Sequence, residues 1–389
     1  MVRNLERAQG LQKAQGVLRL PKAPNTVKVA IVHDWLNQMG GAEGVLETLV
    51  EMFPEAPVFV TIYWRHGMPI RYQGWNIQPT WLDRAPFIYR HHQPYLPLYP
   101  LAFAGLDLSG YDLVLSNKSG FCHGVHTGDT THICYCLAPT RYVWDFDAYA
   151  AREALPSVAR TALRPLVALL RRWDYRAAQQ VDHFIAISRE IQDRIQRYYG
   201  RDSIIIHPPV DTRRFEPATI QDDYYLIVSR LIPYKRIDLA VRAFNQLGLP
   251  LVIAGAGRDR EALEAQAGPT VTFLGYAPDD DLPDLFARCK AYILPGVEDF
   301  AITPVRAQAA GRPVIAYGGG GALDTVVEGK TGAFFSEMTP EALAKAVREF
   351  DAADIDPRAC VRNAMRFDAS VFKKQLSAFI DQVTARQGA

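Results

Sequence analysis

From Val27 onward, short runs that are apolar throughout alternate with longer stretches in which apolar residues recur at helical spacing. VKVAIVH (27–33), VFVTIY (58–63), YDLVLSN (111–117), THICYCL (131–137) and HFIAIS (183–188) show little polar alternation, the pattern of strands covered on both faces in a parallel sheet. Between them the spacing predicts a helix over 45–52 that ends before Pro54, and a basic helix over 152–180 with a kink at Pro165. A further helix reaches Tyr199, and a strand follows over 203–210. The proline-rich stretch 207–217 then reads as a hinge. Beyond it the alternation restarts, with strands over 224–230, 250–255 and 271–275 and helices over 237–247, 259–266 and 281–288. A strand over 292–294, a helix over 303–310 and a strand over 313–317 lead into four glycines, Gly318 to Gly321. The pattern predicts an α/β protein with two Rossmann-like, doubly wound domains facing across a cleft. The boundaries read as an extension over 1–25, a first domain over 26–212, a second over 213–368, and a last segment, 369–389, whose helix packs back on the first domain.

At 389 residues and 49% hydrophobic, the chain suffices for two cores. Lys plus Arg number 43 against 42 acidic residues, and a net charge of +1 argues against general affinity for nucleic acid. No apolar run approaches the span of a bilayer, and residues 1–25 lack the continuous apolar core of a secretory signal. The five cysteines follow no zinc spacing, and Cys134 and Cys136 share one side of a strand as buried inert thiols would. A reducing, cytoplasmic compartment is expected.

Gly40-Gly41 follows the first strand and opens a helix, so its backbone can approach a phosphate. A full G-x-G-x-x-G is missing there, which argues against a nicotinamide dehydrogenase. Gly318 to Gly321 come after a buried-type strand, where a glycine loop suits a phosphate better than a floppy connector. Gly255-Ala256-Gly257 reads as a tight turn. Arg230 and Lys235, at the carboxyl end of the second domain's first strand, are either a diphosphate clamp or a solvated pair. Glu298 either faces the cleft or favours a helix macrodipole. The acidic clusters Asp145-Phe146-Asp147 and Asp279 to Asp281 precede helices and read as N-caps. His33 and His132 read as core histidines. The arginines of 152–180 read first as a solvated face and second as a contact for an anionic membrane surface.

In this order and spacing, the pieces resemble glycosyltransferase family 4, retaining enzymes of the two-Rossmann GT-B fold, and especially the mannosyltransferase type that builds O-antigens and exopolysaccharides. The resemblance runs from Val27 to about Ser370 and rests on His33-Asp34-Trp35-Leu36, Gly40-Gly41-Ala42-Glu43, Arg141-Tyr142-Val143-Trp144-Asp145, Ser229-Arg230-Leu231, Tyr234-Lys235-Arg236 and the stretch 291–327. It implies a nucleoside-diphosphate sugar as donor, a glycan or lipid-linked acceptor, no metal or other cofactor, and a cytoplasmic protein with peripheral contact at the inner face of the membrane. Arg230 and Lys235 would neutralise the departing diphosphate, helped by backbone N–H groups at Gly40, Gly41, Phe300, Ala301, Ile302 and Thr303. Glu298 would fix the donor sugar's hydroxyls. Asp34, Trp35, Arg141, Tyr142 and Trp144 would line the acceptor side, the aromatics by stacking on sugar faces.

The chain departs from the family pattern at three positions. Arg306 replaces the second glutamate of E-x7-E, which accepts hydrogen bonds from the ribose, and arginine offers no acceptor. Losing charge-assisted bonds of this kind costs roughly 1.5–3 kcal/mol each. Leu137 replaces the histidine of Cys-His-Thr-Pro, and Ala301 replaces a glycine. Two readings follow. One is a working transferase with an altered donor site, in which Arg306 pairs with an extra acidic group. The other is a non-catalytic homologue that serves as a binding or scaffold partner, for instance of an active paralogue.

Overall fold

The computed structural model describes residues 27–152 and 155–385. The extension expected over 1–25 lies outside them, as do residues 386–389. Seven parallel strands form the first sheet: β1 (Val29–His33), β2 (Val58–Val60), β3 (Ile77–Pro79), β4 (Leu113–Lys118), β5 (Thr131–Cys136), β6 (His183–Ala186) and β7 (Ser203–Ile205). Six more form the second: β8 (Tyr225–Val228), β9 (Leu251–Ala254), β10 (Val271–Gly275), β11 (Ala291–Leu294), β12 (Val314–Tyr317) and β13 (Gly332–Phe335). The orders are β3-β2-β1-β4-β5-β6-β7 and β10-β9-β8-β11-β12-β13. Both are doubly wound, as the alternation predicts, and each reverses direction once, between β1 and β4 and between β8 and β11.

Every residue of β1, β4, β5 and β11 is buried, because a parallel sheet is covered on both faces. One apolar cluster runs from Ile31 and Leu115, through Val210 and Phe215 at the hinge, to Leu226 and Phe300. It joins the two domains into one packed body. Separate clusters fill the other faces, around Phe103 and Val114 in the first domain and Phe244 and Val347 in the second.

Several elements differ from the sequence pattern. The helix expected over 152–180 spans Ser157–Gln179 and runs through Pro165, and a separate short helix, Phe146–Arg152, comes before it. The strand expected over 203–210 stops at Ile205, since Pro208 and Pro209 have no N–H for a ladder. Asp281 stands at the N-cap of Leu282–Arg288 without the side-chain cap bond expected, and Asp145, directly before Phe146–Arg152, accepts from the Tyr198 hydroxyl at 2.9 Å. β3 (Ile-Gln-Pro) and β13 (Gly-Ala-Phe-Phe) are too short to show a period.

At the hinge two passes of the chain lie side by side. Val210 N–H donates to Phe367 O at 3.0 Å, Ala369 N–H donates to Val210 O at 3.1 Å, and Thr212 Oγ1 donates to Asp368 at 2.6 Å. From there helix Ala369–Ala385 returns to the first domain, with Phe372 edge-on to Tyr135 at 5.5 Å and Lys373 paired with Glu51 at 2.7 Å. No helix among the described residues is long and apolar enough to cross a membrane.

Candidate active site

Loops at the two reversal points face one another, where ligands of open α/β sheets bind. After β1, the chain turns at Gly40 into helix Gly41–Met52. That turn is anchored from beneath: His33 Nε2 lies 3.6 Å from Glu43 Oε1, and Asn117 Nδ2 donates to Ala42 O at 2.9 Å. A Cβ on Gly41 would sit 3.2 Å from Ile302 Cδ1, so the first glycine turn meets the start of helix Ile302–Ala309 directly.

In the second domain, Gly255 and Gly257 let two backbones touch. A Cβ at these positions would lie 1.8 Å from Ser229 O and 2.1 Å from Leu231 O, so the glycines press the segment carrying Arg230 against the loop after β9. The acidic loop after β11 is walled in the same way. A Cβ on Gly296 would meet Lys235 O at 2.8 Å, and one on Gly321 would meet Phe300 Cα at 2.2 Å. Gly321 N–H also donates to Glu298 O at 2.7 Å. Gly320 and Gly321 lie against the backbone of the acidic loop, which only residues without a Cβ can do.

Between these walls Lys235 Nζ is ion-paired with Glu298 Oε1, both side chains less than one-fifth exposed (14% and 19%). Arg230 is exposed and donates to the Tyr234 hydroxyl at 3.2 Å. Burial acts to raise the Tyr234 phenol, but the charges of Lys235, Arg230 and Arg141 outweigh it and Glu298, and the pKa falls below the usual value. Arg230, Lys235 and Glu298 therefore converge on one place. Ala301, preceding helix Ile302–Ala309, has φ +71°, a left-handed conformation that an alanine adopts only with strain. The first N–H groups of that helix have no side-chain cap, and the Thr303 hydroxyl is held by Tyr292 at 2.9 Å. Phe300 stacks on His207 at 5.3 Å.

The expected acceptor residues do other work. Asp34 is fully buried, and its carboxylate accepts from the N–H groups of Ser119 (2.6 Å), Gly120 (2.6 Å) and Cys122 (2.9 Å). It holds the loop after β4 and is not presented to an acceptor. Trp35 packs between His92 and Tyr99, at 5.2 and 5.9 Å. Tyr142 stands edge-on to Phe121, its hydroxyl buried without a hydrogen-bond partner. Trp144 stacks on Tyr198 at 4.9 Å and donates Nε1 to Asp174 at 2.6 Å. Arg141 instead crosses the cleft and pairs with Asp299. All three aromatics are half-buried and pack against the first-domain core.

Sequence reasoning missed the buried hub behind this motif. Asp174 accepts from Thr140 Oγ1 at 2.8 Å, from Trp144 and from the Tyr199 hydroxyl at 2.7 Å, fixing both sides of Arg141. Lys118 is fully buried beside it, with Nζ 3.1 Å from Thr140 Oγ1. Burial acts to lower the Lys118 pKa and is the largest single effect, but Asp174, together with Cys136, Cys134 and Asp34, outweighs it and the balance is a rise. Lys118 showed in the sequence only as a charge after an apolar strand, and Asp174 only as one carboxylate among the arginines of the basic helix. Leu137 is buried, and its N–H donates to Lys118 O at 2.8 Å.

Arg306 is half-buried, its guanidinium 5.8 Å from the Phe215 ring centroid. Burial lowers its pKa against the opposing charge of Asp279. Among the described residues no protein carboxylate forms an ion pair with Arg306, although the charges of Asp279 and Asp211 act on it.

Residues 39–214 match the model of Glycosyltransferase Family 4, and residues 211–367 match that of Glycosyl transferases group 1. The GDP-mannose-dependent alpha-(1-6)-phosphatidylinositol monomannoside mannosyltransferase of Mycolicibacterium smegmatis is 31% identical over 233 residues, 52% of this chain and 57% of that protein. The D-inositol 3-phosphate glycosyltransferase of Streptomyces coelicolor is 27% identical over 237 residues, 48% of this chain and 52% of that one. The chain thus spans about half the length of the curated relatives it matches. In fold it is similar to Anabaena HepE, solved with UDP, at a TM-score of 0.68 and 17% identity over 91% of this chain and 100% of the other. Taken with the two facing doubly wound sheets, family models that between them span residues 39–367 place the chain, and it belongs to the family 4 glycosyltransferases of the GT-B fold.

Proposed function

We propose that the protein transfers a sugar, of mannose type, from a nucleoside-diphosphate sugar to a glycan or lipid-linked acceptor with retention of configuration, in polysaccharide biosynthesis. The observation that carries the reading is the Lys235–Glu298 pair, set at the second reversal point beside an uncapped helix N-terminus and opposite Gly41. An ammonium has three donors, so Lys235 can keep Glu298 and still reach a phosphate oxygen. Arg230 and the N–H groups of the Ile302–Ala309 helix add positive potential where charge builds on the departing diphosphate. Glu298, held by Lys235, is left with lone pairs for sugar hydroxyls. As the C1–O bond to the diphosphate breaks, the acceptor oxygen attacks the same face and gives its proton to the leaving phosphate. The protein positions the reactants, and no metal is part of the proposal. Mannose is chosen because the Mycolicibacterium smegmatis relative is GDP-mannose-dependent. A lipid-linked acceptor accords with exposed Trp81, Phe87 and Leu101 on the first domain, near the exposed Arg84 and Arg90. These would make a peripheral contact with an anionic membrane.

One observation favours the second reading, a non-catalytic homologue. At the place of the family's ribose-binding carboxylate, Arg306 offers only donors. Calorimetric titration with GDP, UDP and their sugars, followed by a turnover assay, separates the two. Micromolar binding with sugar release, and an axial product linkage by NMR, supports the retaining transferase. Binding without turnover supports the homologue, and no binding removes the donor site altogether.

A further inference from the structure

Outside the donor groups themselves, the first domain's grip on one residue of the acidic loop stands out. Asp299, next to Glu298, is held from the first domain at three points. Arg141 pairs with its carboxylate, Arg194 Nη1 lies 3.3 Å from Oδ1, and the fully buried Ser188 donates Oγ to its main-chain oxygen at 2.5 Å. The clamps are themselves fixed. Arg194 is braced by Glu190 at 2.8 Å, and the helical turn Arg141–Trp144 is tied down on both sides by Asp174. On its own side the loop has little freedom, because Gly296 lies on the backbone of Lys235 and Gly321 bonds the carbonyl of Glu298.

We propose that Asp299 is a positioning residue: its contacts with Arg141, Arg194 and Ser188 hold the cleft closed and thereby set Glu298 against Lys235. The inference rests on the reading of Glu298 and Lys235 as donor groups. When the domains part, all three contacts break at once, and the strain is felt one peptide away from Glu298. The other polar tie across the cleft differs. Arg189, 63% exposed, meets Asp324 at 2.6 Å, but Asp324 stands on the short helix Ala322–Thr325 and not on the loop that carries Glu298. A latch on the same loop as the donor carboxylate couples closure to the geometry of the site. A tie elsewhere only holds the domains together.

The test uses Asp299→Asn, Arg194→Gln and the double variant of the full chain, with turnover, melting temperature, and interdomain distance from spin labels on the two domains. Asp299→Asn should lower kcat by ~10-fold or more, because misplacing a reacting group costs rate. The donor KM should move by less than about threefold, since little ground-state binding is lost. The double variant should be no slower than Asp299→Asn alone, as expected of two residues acting through one contact. Interdomain distances in the ligand-free protein should lengthen and broaden. Unchanged kcat, multiplicative losses, or a fall in activity that only tracks the melting temperature would overturn the proposal. If the wild-type protein shows no turnover, the functional reading fails on its own account. The distances still decide the latch: unaltered distances in Asp299→Asn overturn it.

Discussion

Lys235 and Glu298, 63 residues apart in the chain, are ion-paired between two backbone walls that glycines alone permit. Because both side chains are largely withdrawn from water, neither partner is idle when the other is removed. Lys235→Ala should weaken binding of a nucleoside diphosphate by about 1.5–3 kcal/mol, the scale of a hydrogen bond to a charged group. It should also lower kcat by roughly 10²–10³-fold, the usual loss on deleting a donor aimed at developing charge. Calorimetry and initial rates measure the two effects separately. An unchanged affinity would remove Lys235 from the site.

Ala301 carries strain that glycine would not. With φ at +71°, Ala301→Gly should stabilise the fold by about 0.5–1 kcal/mol, after the entropy glycine adds to the unfolded chain. Urea unfolding reads this directly. Equal or lower stability would mean that the surroundings, not the Cβ, impose the conformation.

Arg306 is the departure with the clearest expected reversal. Arg306→Glu returns an acceptor to the ribose and should tighten binding of nucleoside diphosphates by about 10-fold or more. Leu137 is a poorer place to intervene, because its side chain is buried in the apolar cluster close to Lys118. Unchanged or weaker binding in Arg306→Glu would show that the nucleoside lies elsewhere.

Two histidines link stability to pH. Burial pushes His132 down to about 3, and burial with the nearby Lys118 charge does the same to His123, against the pull of Asp174. Unfolded histidine titrates near 6.5, so below that pH the unfolded chain binds more protons than the folded one. The stability is fully present above the unfolded value and is lost as pH falls towards the folded one. The loss should be about 2 kcal/mol per histidine between pH 7 and pH 5. Urea titrations at the two pH values measure it. His132→Gln should flatten the dependence, and an unaltered slope would contradict the assignment.

The fold was legible wherever a strand was long and buried on both faces, as at β1, β4 and β5. Position at the carboxyl end of a strand placed the loops of Arg230, Lys235 and Glu298 but left each open between the cleft and solvent or a helix end, and only the family resemblance brought the three together. The direction of a side chain within such a loop was not legible. Asp34 looked free to meet a ligand, but its hydrogen-bond donors lie 85 to 88 residues further on, at Ser119, Gly120 and Cys122. Arg141 looked like an acceptor contact, yet its partner is 158 residues away. Gly320 and Gly321 show the same limit. A glycine run announces close approach without saying whether a phosphate or another backbone comes near.

The central claim is that a nucleoside diphosphate sits between the reversal points of the two sheets. A crystal structure with GDP or UDP bound tests it most directly. The account expects the diphosphate within hydrogen-bond distance of Lys235 Nζ and of the first N–H groups of the Ile302–Ala309 helix. Nucleotide found instead in the cavity of about 670 Å³ lined by Arg189, His207, Asp324 and Arg366, with nothing at Lys235, would contradict it.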